Sequence, residues 1–234
     1  MCFDSAYRIC KYDTLNSAVM QGLKKTKQEV VAEFRSAEIL DAARRVFARK
    51  GFAGASVDRI AETAGLAKGT LYLYFHSKRD LYLAALRQGI LALMNETNRD
   101  VEAARSTPEK IRAFVAARIR YAESNRDFLA IYHAEFGAIH PACLNREFKN
   151  LYQQQMQALE AVIQEGATRG EIRSVPPDAA AFMVCEMIRS LVGRRLLGWS
   201  HGSAEADVDL LFDLIWKGLA ASSAARGEAP CVAH

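Results

Sequence analysis

The sequence predicts an all-α protein, and three observations carry that reading. Apolar residues recur at spacings of three and four along most of the 234 residues, the period of one helix face. No stretch alternates β-branched apolar residues with polar ones, and no hairpin dipeptide sits between two such stretches. Most glycines and prolines fall at the edges of the periodic segments, where helices start and stop.

The first periodic segment runs from Arg35 to Lys50, with Ile39, Ala42, Ala43, Val46 and Phe47 on one face and Arg44, Arg45, Arg49 and Lys50 off it. Gly51 follows where a C-terminal cap is expected. Ser56 is a suitable N-cap for a short second helix whose apolar face is Val57, Ile60, Ala61 and Ala64 and which ends at Gly65. A third short helix spans Ala67 to Phe75, with Leu71 and Phe75 four apart on one face. Two short helices joined by a glycine turn read as a helix-turn-helix.

Beyond it the pattern predicts six more helices. They run from Ser77 to Ala104; from Pro108 to Ser124 with Thr107 as N-cap; from Asp127 to Gly137; from Pro141 to about Thr168, closed by Gly170; from Pro176 through Trp199; and from Ala204 to Ala225.

Composition narrows the class. Half of the residues are apolar and a quarter charged, enough to bury a core and too apolar for a disordered chain. The longest unbroken apolar run, Ala179 to Cys185, is far short of the roughly 20 residues of a membrane span. Asp4, Arg8, Lys11, Asp13 and Asn16 interrupt the first thirty residues, so no secretory signal is read there and a cytoplasmic location is expected. Five scattered cysteines without a CxxC pair indicate neither a disulfide framework nor a zinc site. His133, His140 and Cys143 are metal-ligand types, but Pro141 breaks the helix between them, so no metal or cofactor is expected. No GxSxG, GxGxxG, HExxH or Walker spacing is present, and no enzymatic activity is expected.

Charge is uneven. Residues 1–80 carry 14 Lys/Arg against 9 Asp/Glu, whereas the rest carry 17 against 18, so the basic excess lies where the helix-turn-helix is. With Ile60, Ala61, Leu66, Leu71 and Phe75 packing the motif, Lys68, Thr70, Tyr72 and Tyr74 are left for the other side. These types donate to phosphate and base edges, which suits a helix entering a major groove.

Residues 35–83 resemble the TetR/AcrR family of bacterial transcription regulators. The resemblance rests on Ile39-Leu40-Asp41-Ala42-Ala43, Phe47-Ala48-Arg49-Lys50-Gly51-Phe52, Ser56 through Gly65, and Gly69 through Leu81, which reads GTLYLYFHSKRDL. It implies an N-terminal three-helix DNA-binding domain over 35–80 and a six-helix effector-binding and dimerisation domain over 81–225. Residues 1–34 are then an N-terminal extension, partly disordered or a basic arm continuous with the first helix, and 226–234 a disordered tail. For residues 1–19 a second reading stays open, in which Met20 is the natural start. The resemblance assigns DNA contact to Ser56, Lys68, Gly69, Thr70, Tyr72, Tyr74 and Lys78, the last as a phosphate contact. Ala67 stands where the family often has a hydroxyl residue, and Arg79 where it is often acidic.

The resemblance further implies a ligand-responsive regulator, commonly a repressor. Its homodimer, formed through the last two helices, binds a palindromic double-stranded operator and is released by a small molecule. Phe114, Tyr121, Phe128, Ile131, Tyr132, Phe136, Leu151, Tyr152, Met156, Met183 and Met187 are the candidate effector pocket, suited to an apolar or aromatic molecule. His133, Glu135, Arg118, Arg120, Glu186 and Arg189 are polar candidates to orient it, each equally readable as a surface or ion-pair residue.

Overall fold

The computed structural model describes residues 26–136 and 146–221, and these form nine helices with no strand among them. They are α1 (Lys27–Gly54), α2 (Val57–Thr63), α3 (Lys68–Tyr74), α4 (Lys78–Ala103), α5 (Thr107–Ser124), α6 (Arg126–Phe136), α7 (Arg146–Thr168), α8 (Pro177–Leu196) and α9 (Ala204–Leu219). The order and type of the elements match the sequence reading; several ends do not, and each difference has a local cause.

Helix α1 starts eight residues before Arg35. A capping box holds this end: Thr26 Oγ1 accepts from the Glu29 amide at 3.3 Å, and the Glu29 carboxylate accepts from the Thr26 amide at 2.8 Å. The N-terminal segment is thus helical from Lys27, while residues 1–25 lie outside the described residues, including the expected basic Lys24 and Lys25. Gly51 adopts φ +65° and breaks the helix where a cap was expected, with one further turn after it. The N-cap of α5 is Ser106 rather than Thr107. Ser106 Oγ accepts from the Glu109 amide, and the Ser106 amide in turn donates to Glu109 Oε2. Thr107 is instead buried at the first helical position.

Two C-termini come earlier than the periodicity placed them. Helix α8 stops at Leu196 because Gly198 takes φ +72° and the Trp199 amide turns back to the Arg194 carbonyl at 3.0 Å. Helix α9 stops at Leu219, where the backbone pairs with the segment after α7: the Arg173 amide donates to Leu219 O and the Ala221 amide to Glu171 O. Residues 222–225 of the expected last helix, and the expected Pro141 start of α7, lie outside the described residues.

Helices α1–α3 pack around Ile39, Leu40, Phe47, Ile60, Leu71 and Phe75, all buried. Helix α4 leaves this unit, carrying Tyr82 edge-on to Phe47 and Phe52 with ring centroids 4.9 and 5.1 Å away, and continues into the larger bundle. There it packs on α5, α6 and α7, while α5 also contacts α8 and α9. Helix α6 packs on α1 and on α4, α5 and α8 of the larger bundle.

Candidate functional site

The helix-turn-helix is closed by a glycine turn. Gly65 takes φ +67°, and the Leu66 amide donates to Ala61 O at 2.9 Å, so Thr63 hands over to α3 in four residues. Ser56 caps α2, its Oγ accepting from the Arg59 amide at 3.2 Å. Ala67 caps α3 with no side-chain hydrogen bond, as its missing hydroxyl requires.

With Leu71 and Phe75 facing inward, α3 presents Tyr72 and Leu73 outward, Leu73 at 79% exposure. Lys68 is exposed and its Nζ lies 2.9 Å from Asp58 Oδ1; the hydrogen bond and charge of that carboxylate hold the ammonium above its ordinary pKa. A Cβ at Gly69 would meet nothing within 4 Å, so the chain's own packing does not require glycine there, and the bare backbone faces open space. Thr70 and Tyr74 are half-buried, and Tyr74 packs against the core. Leu73 was not singled out in the sequence, yet it is two residues from Leu71, about 200° around the helix, and so opposite the packed face. An apolar side chain there can meet a thymine methyl group.

Lys78, expected as a phosphate contact, is engaged within the protein. Its Nζ donates to the carbonyls of Phe52 at 2.7 Å and Ala55 at 3.0 Å, and lies 4.5 Å from the Phe52 ring centroid. It ties the end of α1 to the start of α4, so its protons are directed into the protein. Arg79 beside it is exposed.

The larger bundle holds a partly open cavity of about 50 Å³ between α4, α5, α6, α7 and α8. Of the residues expected to line it, Phe128, Tyr132, Tyr152 and Met156 do so, together with Leu93, Leu129, Ile188 and Val192. Four of the six polar candidates, Arg118, His133, Glu186 and Arg189, join them, as do Gln155 and Cys185, which the sequence reading did not name as pocket residues. The other two polar candidates are engaged elsewhere: Glu135 accepts from the Tyr82 hydroxyl at 2.6 Å, and Arg120 pairs with Asp100.

Of the remaining pocket candidates, six lie away from this cavity. Phe114 is core, its ring lying under Arg118 with 4.2 Å between centroid and guanidinium carbon. Tyr121 is buried and donates to Gly89 O at 3.0 Å; Ile131 and Leu151 are also core. Met183 and Met187 face away from the cavity, in an apolar groove with Phe182, Leu191, Leu210 and Leu214. Phe136 ends α6, but its side chain lies outside the described residues, as do His140 and Cys143.

Burial sets the chemistry of the wall. Desolvation raises the Tyr132 phenol to about 12, and with the Glu186 hydrogen bond at 2.8 Å it keeps the Tyr152 phenol protonated as well. His133 is held below its ordinary pKa by burial and by the Arg189 charge, so it is neutral near pH 7. Glu186 accepts from both Tyr152 and Arg189. The Cys185 thiol is pushed up by burial. No group of three or more metal-ligating side chains occurs among the described residues, and no helix among them is long and apolar enough to cross a membrane.

A basic helix-turn-helix joined to a helical bundle with an interior cavity defines a regulator of the DNA-binding class, and comparison with known proteins agrees. Residues 39–85 match the family model described as bacterial regulatory proteins, tetR family, and residues 104–192 match that described as tetracyclin repressor-like, C-terminal domain. The chain belongs to the TetR family of bacterial transcriptional regulators. It is 24% identical over 136 residues to the fatty acid metabolism regulator protein of Bacillus subtilis (strain 168), covering 58% of this chain and 70% of that protein. It is 28% identical over 145 residues to the HTH-type transcriptional repressor KstR2 of Rhodococcus jostii (strain RHA1), covering 59% and 70%. The transcriptional regulator FadR from Bacillus subtilis, solved in complex with stearoyl-CoA, superposes with TM-score 0.68 over 78% of this chain and 98% of that one at 21% identity, a likeness of fold.

Proposed function

We propose that the chain is an effector-responsive transcriptional repressor, not an enzyme, acting in the cytoplasm as a homodimer on a palindromic operator. The observation that carries the reading is the position of α6. Phe128, Tyr132 and His133 of this helix form part of the cavity wall, and the same helix packs against α1, which holds the helix-turn-helix. Anything that fills the cavity pushes on α6 and therefore bears on the DNA-binding unit.

The exposed apolar surface of α8 and α9 supports the dimer: Phe182, Met183, Leu210 and Leu214 are each about half exposed on one face. Two copies joined there present two α3 helices, which must enter successive major grooves about 34–36 Å apart. A ligand that favours another separation weakens DNA binding by its differential affinity for the two states. The effector is a small molecule with an apolar or aromatic body; the mostly apolar wall and the acyl ligand of the fold relative support this. A 50 Å³ cavity holds only a few atoms, so the wall opens when the effector enters.

The test is binding of the purified protein to fragments of its own upstream DNA under salt titration, wild type beside Tyr72→Ala. Specific binding that is lost in the variant, with fold and dimer intact, is the expected result. Absence of specific binding at every salt concentration would overturn the reading.

A further inference from the structure

Arg118 lies midway along α5 and lines the cavity. Its Nη1 donates to Gln155 Oε1 at 3.1 Å and its plane rests on Phe114, but its buried Nε has no acceptor. The Gln155 Nε2, also buried, has none either. No Asp or Glu among the described residues forms an ion pair with Arg118. The carboxylate on the cavity wall, Glu186, already serves Arg189 and Tyr152. With His133 neutral, the charges facing the cavity are Arg118 and Arg189 against Glu186, an excess of one positive charge beside a mostly apolar, partly open wall. Arg118 is half-buried with its Nε out of reach of water, and a cation partly desolvated without a counter-charge is destabilising, so chains rarely place one unless something answers it.

We infer that the effector carries a single negative charge, a carboxylate, held by Arg118 and the Gln155 amide, with its apolar body along Leu93, Phe128, Met156 and Val192. The inference rests on the cavity being the effector site and names the chemistry that this site recognises. Arginine offers a planar fork matched to a carboxylate, and the Gln155 Nε2 adds a neutral donor beside it. A neutral ester of the same body leaves the cation unanswered and binds less well.

Thermal melting of the full chain with decanoate and with 3-phenylpropionate, each beside its methyl ester, tests this without DNA. Wild type is expected to bind at least one acid about tenfold or more tighter than its ester, a difference of about 1.4 kcal/mol. Arg118→Met should erase that preference and, without ligand, melt no lower than wild type, since an apolar side chain of similar length removes a partly desolvated, unpaired charge. Gln155→Glu is the reciprocal variant. It supplies the counter-charge from within, so it should raise the melting temperature of the empty protein and weaken acid binding while sparing the esters.

Equal binding of acid and ester, no binding of either acid at millimolar concentration, or undiminished acid binding by Gln155→Glu would overturn the inference. So would an empty Arg118→Met protein that melts well below wild type, because the guanidinium would then be a structural member. None of these outcomes depends on operator binding, so failure here and failure of the regulator reading remain separate results.

Discussion

A methyl group added at Gly89 would stand 2.1 Å from the Phe128 ring, and the Gly89 carbonyl receives the Tyr121 hydroxyl at 3.0 Å. Glycine therefore lets α4 and α6 approach at the point where Phe128 turns into the cavity. Gly89→Ala should destabilise the protein by about 1–3 kcal/mol through overpacking, and Phe128→Leu in the same chain should recover part of the loss. Urea denaturation of both variants checks this. His133 makes a second prediction at this scale. Its pKa in the folded protein lies below the unfolded value near 6.5, so as pH falls through about 6.5 the unfolded chain takes up a proton that the folded chain does not. Stability should drop over that interval and level off below the folded pKa, and His133→Asn should flatten the slope; an unchanged slope would contradict the burial argument.

Among the elements, Lys78 shows how a motif residue can serve packing. Lys78→Met removes the donor shared by the Phe52 and Ala55 carbonyls, and should lower stability by about 1 kcal/mol. If that is its task, the salt dependence of DNA binding should not change, whereas a lost phosphate contact would flatten the slope by about 0.9. What the sequence disclosed about the elements follows the same division. Period and glycine placement located the helices well, because Ile39, Ala43 and Phe47, or Ile60 and Leu71, are buried on single faces. Residues 27–34 carried no such signal, since Val30, Val31 and Phe34 are all exposed; only the Thr26 and Glu29 capping pair marked that start. Helix α8 is apolar on two faces, with Cys185, Ile188 and Val192 toward the cavity and Phe182, Met183 and Met187 outward. Residue type alone cannot say which face meets the cavity, and both methionines lie on the other one. Phe114 and Tyr121 were misplaced for a similar reason: an aromatic in solid core and one on a cavity wall have the same spacing.

At the scale of the whole molecule, α8 contributes to both the outward apolar face that it shares with α9 and the cavity wall. Leu214→Glu places a charge in the centre of the exposed apolar face and should yield a monomer in sedimentation, with operator affinity reduced about 10²-fold or more as the two half-sites uncouple. A dimer that persists would place the interface elsewhere. The cavity wall touches the helix-turn-helix unit through α6, which packs on α1, and through α4, which holds Leu93 at the cavity and Tyr82 against Phe47 and Phe52. Coupling of this kind is reciprocal: a ligand that weakens operator binding must itself bind less tightly to the operator complex, by the same factor. The most direct test is titration of the preformed operator complex with decanoate, or with methyl decanoate should the ester bind more tightly, following the DNA by fluorescence anisotropy. The proposed function predicts release, with operator affinity lowered about 5–150-fold at saturation. Unchanged DNA affinity with the ligand demonstrably bound in the cavity would contradict it.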